Sequence, residues 1–226
     1  MRRFLFFIFA LAGFAVLIGL GTWQVQRLAW KQALLADMDA RITATPVALP
    51  DVIDRTRDAY LPVTATGRIL PQELHILVSQ KQIGAGYRII SVFETEGRRI
   101  LLDRGFVTQE RKTDPRPEVT ASVIGNLHWP NEVDSYTPAP DVKAQIWFAR
   151  DVDAMATELE TEPVLIILRS TSETGPAVAP LAVDGTGIPN DHLQYAITWF
   201  SLAAVWAAMT IFFFWRTRKN AKGELT

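Results

Sequence analysis

The chain contains no cysteine. That excludes disulfides, thiolate metal sites and a cysteine nucleophile, and it leaves the redox compartment open. A surplus of charge of one sign is also missing. Lys and Arg number 23 against 24 Asp and Glu, for a net charge of −1. No global field therefore recruits nucleic acid or acidic partners, and no basic stripe or nucleic-acid motif takes its place. Histidine is scarce, with three in 226 residues, at 75, 128 and 192. None pair at metal-ligand spacing, which argues against a zinc or iron site of the usual kind. Nucleophile elbows, P-loops and HExxH motifs are absent, and "GAG" at 84–86 lacks the further glycine and helix of a dinucleotide fingerprint. Nothing supports an enzyme.

Apolar residues, by contrast, make up 49% of the chain, although its mean hydropathy is only +0.11. They must be concentrated in a few places. One is Phe4–Leu20, "FLFFIFALAGFAVLIGL", extended by Gly21, Thr22 and Trp23 without a charge. The other is Leu193–Trp215, "LQYAITWFSLAAVWAAMTIFFFW", also uncharged. A helix of roughly 20 apolar residues crosses a hydrocarbon core of roughly 30 Å. Both runs read as spans. Arg2 and Arg3 with "ALA" at 10–12 resemble a signal peptide, but that small-residue pattern lies inside the apolar run rather than after it. The first run is therefore expected to be an uncleaved anchor.

Charge sets the topology. Arg2 and Arg3 precede the first span, and Arg216, Arg218, Lys219 and Lys222 follow the second. Positive flanks favour the cytoplasm, so both termini are expected there, with the middle of the chain outside.

Between the spans the pattern changes. "WQVQRLAWKQALLADM" continues the first helix to about Met38, with Trp23, Arg27, Trp30 and Lys31 on one face. Trp23 and Trp30 suit an interfacial belt, and Arg27 between two indoles suits a cation–π contact. "TATPVALPDV" (43–52) reads as a loop. "YLPVTATGRIL" reads as a strand stopped by Pro71, and "ELHILVSQ" as another. "GYRIISVFETEGRRILLDRGFV" holds a hairpin around 94–97. "TASVIGNLHW" and "PVLIILRST" are further strands, "ARDVDAMATELE" (149–160) a short helix, and 170–190 a long return loop. The expected fold class is an α+β membrane protein, with two transmembrane helices flanking a β-rich extracytoplasmic domain that carries about one short helix. The divisions are 1–24 (first span, its helix extending to about 38), 39–190 (β-rich domain), 191–216 (second span) and 217–226 (basic tail).

His192 is the best-placed residue for function, because an imidazole at the mouth of a membrane span needs a reason. On a helix starting there, His192, Tyr195, Ala196, Trp199, Ala203 and Trp206 share one face. Asp191 and Gln194 have capping-box spacing, and a neutral imidazole is an iron ligand. Spacing alone leaves two readings: an interfacial polar residue among belt aromatics, or a ligand to haem held between helices.

Three motifs settle a resemblance: "GTWQVQRLAWK" (21–31), "GAGYRIISVFETEGRRILLDRGFV" (84–107, closing on an Arg-Gly turn), and "PNDHLQYAITWFSLAAVWAAMTIFFFWRTRK" from Pro189. In this order, and with two spans, they resemble the surfeit locus protein 1 family of cytochrome c oxidase assembly factors. Phe106 departs from the family's frequent Trp, and Asp191 from a common Asn. The resemblance implies a non-enzymatic membrane chaperone for the aa3-type oxidase, complex IV of the respiratory chain. It implies transient binding of haem a, with His192 on the haem iron, and help in delivering it to oxidase subunit I. The implied partners are subunit I, the haem a synthesis machinery and the lipid bilayer. Tyr195, Trp199, Trp23 and Trp30 are the expected haem-packing residues, and Arg27, with Lys31 and Arg104, the expected counter-charges for propionates. Alternatives are a haem-free scaffold for subunit I and a two-span membrane sensor. Lack of an Arg/Ser-rich presequence favours a bacterial inner membrane over an imported mitochondrial protein.

The topology is testable directly. Alkaline phosphatase fused near Thr174 is expected to be active, and fused after Lys222 inactive. Activity at the C-terminal fusion would overturn the two-span arrangement.

Overall fold

The computed structural model describes residues 2–80, 83–141, 143–183 and 189–223. The chain forms two units, residues 1–37 with 186–226, and residues 38–185.

The first unit is built on helices α1 (Arg2–Thr43) and α3 (His192–Gly223). Both are long and apolar enough to cross a membrane, and only 11% and 6% of their most apolar stretches are buried. A core helix of a water-soluble domain would bury most of such a surface. α1 passes the expected end near Met38 and stops at Thr43, whose Oγ1–H donates to Asp39 O at 2.8 Å.

The second unit is a β domain made of β1 (Val47–Ala48), β2 (Pro62–Gln80), β3 (Gly84–Thr95), β4 (Arg98–Thr108), β5 (Val119–Leu127), α2 (Val152–Glu158) and β6 (Leu165–Thr171). Neighbours run β1-β2-β3-β4-β6-β5, and β5 pairs back onto β2. Strands β2 to β6 thus close into a five-stranded barrel, which removes the free edges of an open sheet. Pairing is antiparallel except for β4 with β6 and for β1 with β2.

Side-chain alternation explains the apolar runs. Ile100, Leu102, Ile166 and Leu168 point into one buried cluster with Phe93 and Ile69, while Leu101, Leu165 and Ile167 point into another. The second cluster lies beneath Val152, Met155 and Ala156 of α2. Strands covered on both faces read as unbroken Val/Ile/Leu runs instead of alternating ones. α2 starts at Asp151, whose Oδ1 accepts Ala154 N–H at 3.1 Å as an N-cap.

Three details correct the sequence reading. Pro71 does not end a strand: β2 runs through it, and the register with β3 shifts between Ile69 and Glu73. A bulge tolerates the missing N–H and bends the strand, as a barrel requires. Val47 and Ala48, read as loop, form β1 against Val63 and Thr64. The Arg104-Gly105 step is not a turn but a second bulge inside β4, between Ile89↔Gly105 and Ile90↔Asp103. Gly105 has φ +115°, and a Cβ there would lie 2.0 Å from Ala179 O. Only glycine fits that position.

The bulge buries charge. Asp103 is fully buried, accepting from Arg88 Nη1 at 2.6 Å, Arg150 Nη1 at 3.3 Å and Gly105 N at 3.0 Å. Burial pushes its carboxyl up, against the pull of the two guanidiniums. Arg150 also binds Glu132, and His128 is stacked on Tyr60 with ring centroids 4.8 Å apart. Burial, then the Arg150 charge, lower the His128 imidazole from 6.5 to about 4. The unfolded chain takes up this proton as pH falls through 6.5, and the folded protein resists until about 4. Unfolding therefore binds a proton in that window, so stability falls as pH falls, by at most ~1.4 kcal/mol per pH unit before solvent screening. His128→Gln is expected to flatten the curve of stability against pH between those values in thermal melts of the detergent-solubilised protein. An unchanged slope would show that His128 is not the group responsible.

Candidate functional site

The candidate site lies on the first unit, where α1 and α3 pack antiparallel. The less exposed positions of α1 include 10, 14, 17, 21, 24, 28 and 31, with 13, 18 and 20 beside them, and those of α3 include 192, 196, 199, 203, 206 and 210, with 207 beside them. Spacings alternating between three and four residues define a seam of the coiled-coil type. Between helices that face lipid, as two membrane spans would, no hydrophobic force drives association, and close backbone packing and hydrogen bonds take its place. Ala196 and Ala203 are buried on α3. On α1, a Cβ at Gly13 would lie 2.8 Å from Trp206 Cζ2, and one at Gly21 would lie 2.6 Å from Phe200 Cε1. Trp206 Nε1–H donates to Ala10 O at 2.8 Å. Phe6 and Phe213 hold the other end, ring centroids 4.7 Å apart.

The polar end of the seam holds the candidate site. His192 is the first residue of α3, and Tyr195 N–H makes the first helical bond to Asp191 O at 3.1 Å. His192 Nδ1 lies 2.8 Å from Oε1 of Gln24, which is 9% exposed on α1. An amide oxygen only accepts, so Nδ1 carries the hydrogen and the lone pair of the neutral ring is on Nε2. Seven residues further along α1, Lys31 Nζ donates to Pro189 O. The segment that leads into α3 is thereby tied to α1 at His192 and again three residues before it.

The other expected site residues are placed unevenly. Trp199 shares the seam with His192 and is half-buried. Tyr195, Trp23 and Trp30 are more than half exposed, on the outer flanks of the pair. Arg27 is exposed and lies over Trp30 alone, its Cζ 4.0 Å from the ring centroid. Arg104 belongs to the β domain, where it is 3% exposed and donates to Glu173 at 2.9 Å. His75 is buried there too, its Nε2 2.8 Å from Glu73 Oε1, which Arg116 also holds. His192 is thus the histidine that stands on the helix pair. Gln24 was missed in the sequence, where an amide three residues after Gly21 is the one local sign of it.

Comparison with known proteins agrees with the motifs. The model of the SURF1 family matches residues 11–204. The chain is 32% identical over 232 residues to Surfeit locus protein 1 of Rattus norvegicus, covering 90% of this chain and 72% of that one. It is 32% identical over 201 residues to a SURF1-like protein of Rickettsia felis, covering 84% and 88%. Surfeit locus protein 1 of Homo sapiens is 30% identical over 212 residues, covering 82% and 70%. The chain belongs to the SURF1 family.

The seam can be tested without haem. The chain has no cysteine, so Phe6→Cys with Phe213→Cys gives a single pair for a short thiol cross-linker. Gly13→Val is expected to cut the cross-linking yield severalfold by displacing Trp206. Trp206→Phe, which deletes one interhelical hydrogen bond worth ~0.6 kcal/mol, is expected to be milder. Equal yields in all three proteins would show that the seam does not hold the helices.

Proposed function

We propose that this protein is an assembly factor for an aa3-type cytochrome c oxidase, binding haem a at the outer membrane interface and assisting its insertion into subunit I. Membership of the SURF1 family supports the class. The observation that carries the site is His192, placed on the seam at the first residue of an apolar helix with one ring nitrogen already engaged.

In this reading haem a is cargo, and what it brings is the redox-active iron of the finished oxidase. His192 offers Nε2 to the iron. Trp199 beside it, with Tyr195, Trp23 and Trp30 on the flanks, supplies aromatic surface for the macrocycle, and Arg27 a positive charge for propionates. A boundary position suits an apolar ring system with charged carboxylates, and it spares the imidazole the cost of full burial in the bilayer. The protein sits in a bacterial inner membrane with both termini in the cytoplasm and the β domain in the periplasm. It hands haem a from the synthesis machinery to subunit I and catalyses no reaction of its own.

Two outcomes follow. Deletion of the gene is expected to lower both the activity and the haem a content of assembled aa3 oxidase, while respiration through other oxidases continues. His192→Ala is expected to lose most bound haem at equal protein yield, whereas His75→Ala and His128→Ala keep it. Full pigment with an unshifted Soret band in the His192 variant would leave that residue a plain interfacial histidine.

A further inference from the structure

We propose that Gln24 is a positioning residue that selects the iron-binding nitrogen of His192. This rests on the reading of His192 as the haem ligand, and it deepens that reading by assigning the tautomer and its cause.

The argument starts from Gln24 itself. An amide turned into the seam between two apolar helices has little access to water and is costly unless its polar atoms are bonded. Gln24 is 9% exposed, and its oxygen is 2.8 Å from His192 Nδ1. Approach of the two helices at this level depends on Gly21, one turn earlier on α1, where a Cβ would strike Phe200. Lys31, two turns later, fixes the Pro189 carbonyl just before the helix start. The bond is therefore held from both sides.

Its chemical consequence is specific. In a neutral imidazole one nitrogen bears the hydrogen and the other the lone pair, and which is which follows from the hydrogen bond made. An unconstrained histidine ring favours the hydrogen on Nε2. Gln24 reverses that preference by accepting from Nδ1, so the lone pair lies on Nε2. Metal-bound histidines characteristically donate their second N–H to an acceptor of this kind, which fixes the ring and tunes its strength as a donor. Here the acceptor is a neutral amide and not a carboxylate, so it orients the ring without drawing the proton far from it.

The test uses the full-length protein in detergent, with 15N-labelled histidine. There are three histidines, so His75→Gln and His128→Gln variants assign the signals. Without haem, the His192 signals of the unsubstituted protein are expected to be those of the Nδ1–H tautomer. Gln24→Leu is expected to move them to the Nε2–H form and to weaken haem a binding roughly 10–100-fold. Gln24→Glu is expected to keep the Nδ1–H form, tighten binding and lower the reduction potential of the bound haem. This variant decides the matter if Gln24→Leu does not accumulate. An Nε2–H ring in the unsubstituted protein, or unchanged tautomer and affinity in Gln24→Leu, would overturn the assignment to Gln24 while the His192 reading stands. If the unsubstituted protein shows the expected tautomer but binds no haem a, the haem-binding reading fails, and the assignment of Gln24 as selector of an iron ligand goes with it.

Discussion

Close approach of two apolar helices is the constraint on which the rest of the first unit depends. Lipid and leucine are equally apolar, so bulk hydrophobicity gives two membrane helices no reason to meet. What remains is van der Waals contact between backbones and a few hydrogen bonds in a medium that offers no others. Gly13 and Gly21 remove the side chains that would hold the helices apart, and Trp206 and Phe200 fill the space they leave. Three hydrogen bonds are spread along the line of contact: Trp206 to Ala10, His192 to Gln24 and Lys31 to Pro189. The one in the middle also has chemical meaning. It joins the helices and at the same time determines which nitrogen of the ring is basic.

The β domain solves a different problem by a related device. A five-stranded sheet closes only if its strands bend, and here the bends coincide with the residues that break strand rules: Pro71 in β2 and Gly105 in β4. Asp103 and Arg104 are consecutive and both buried, because β4 is covered on both faces from Ile100 to Val107. Each then needs a partner. Asp103 has Arg88 and Arg150, and Arg104 has Glu173. Removing one member of such a pair leaves an uncompensated buried charge, which costs more than the pair contributes. The array therefore disciplines the fold more than it strengthens it.

Much of this was legible in the residues, and the failures have identifiable causes. Strand segments stood out because Val, Ile and Leu cluster between turn residues, and α2 stood out through its Asp cap. Pro71 misled because a proline inside a β pattern signals a stop or a bulge, and closure of the barrel, a long-range fact, decides between them. Arg104 read as a surface cation since nothing local announces that Gly105 takes a positive φ. His192 was conspicuous as an imidazole before an uncharged run. Gln24 was not, because lipid-facing and helix-facing positions of a membrane helix are both apolar, and the contrast that marks the buried face of a soluble helix is missing. Trp23 and Trp30 read both as belt residues and as haem-packing surface, and each is more than half exposed, as rings of an interfacial belt are.

The choice of glutamine, and not an acid, is consistent with a site that must be emptied. A carboxylate behind the ring would make the imidazole a stronger donor, and it would add a charge where the medium cannot solvate it. Both effects suit a cofactor held for the lifetime of a protein. A haem carrier of the kind proposed faces the opposite demand. It must orient its ligand well enough to capture cargo, yet bind loosely enough that subunit I can take it away. An amide meets the first requirement through geometry and the second through weak polarisation. The histidine bonds Gln24 through Nδ1 and offers cargo the other ring nitrogen, so loss of cargo breaks no interhelical bond. The contacts of Phe6 with Phe213, Trp206 with Ala10 and Lys31 with Pro189 do not involve the imidazole, so in the proposed role the berth stays assembled between one delivery and the next.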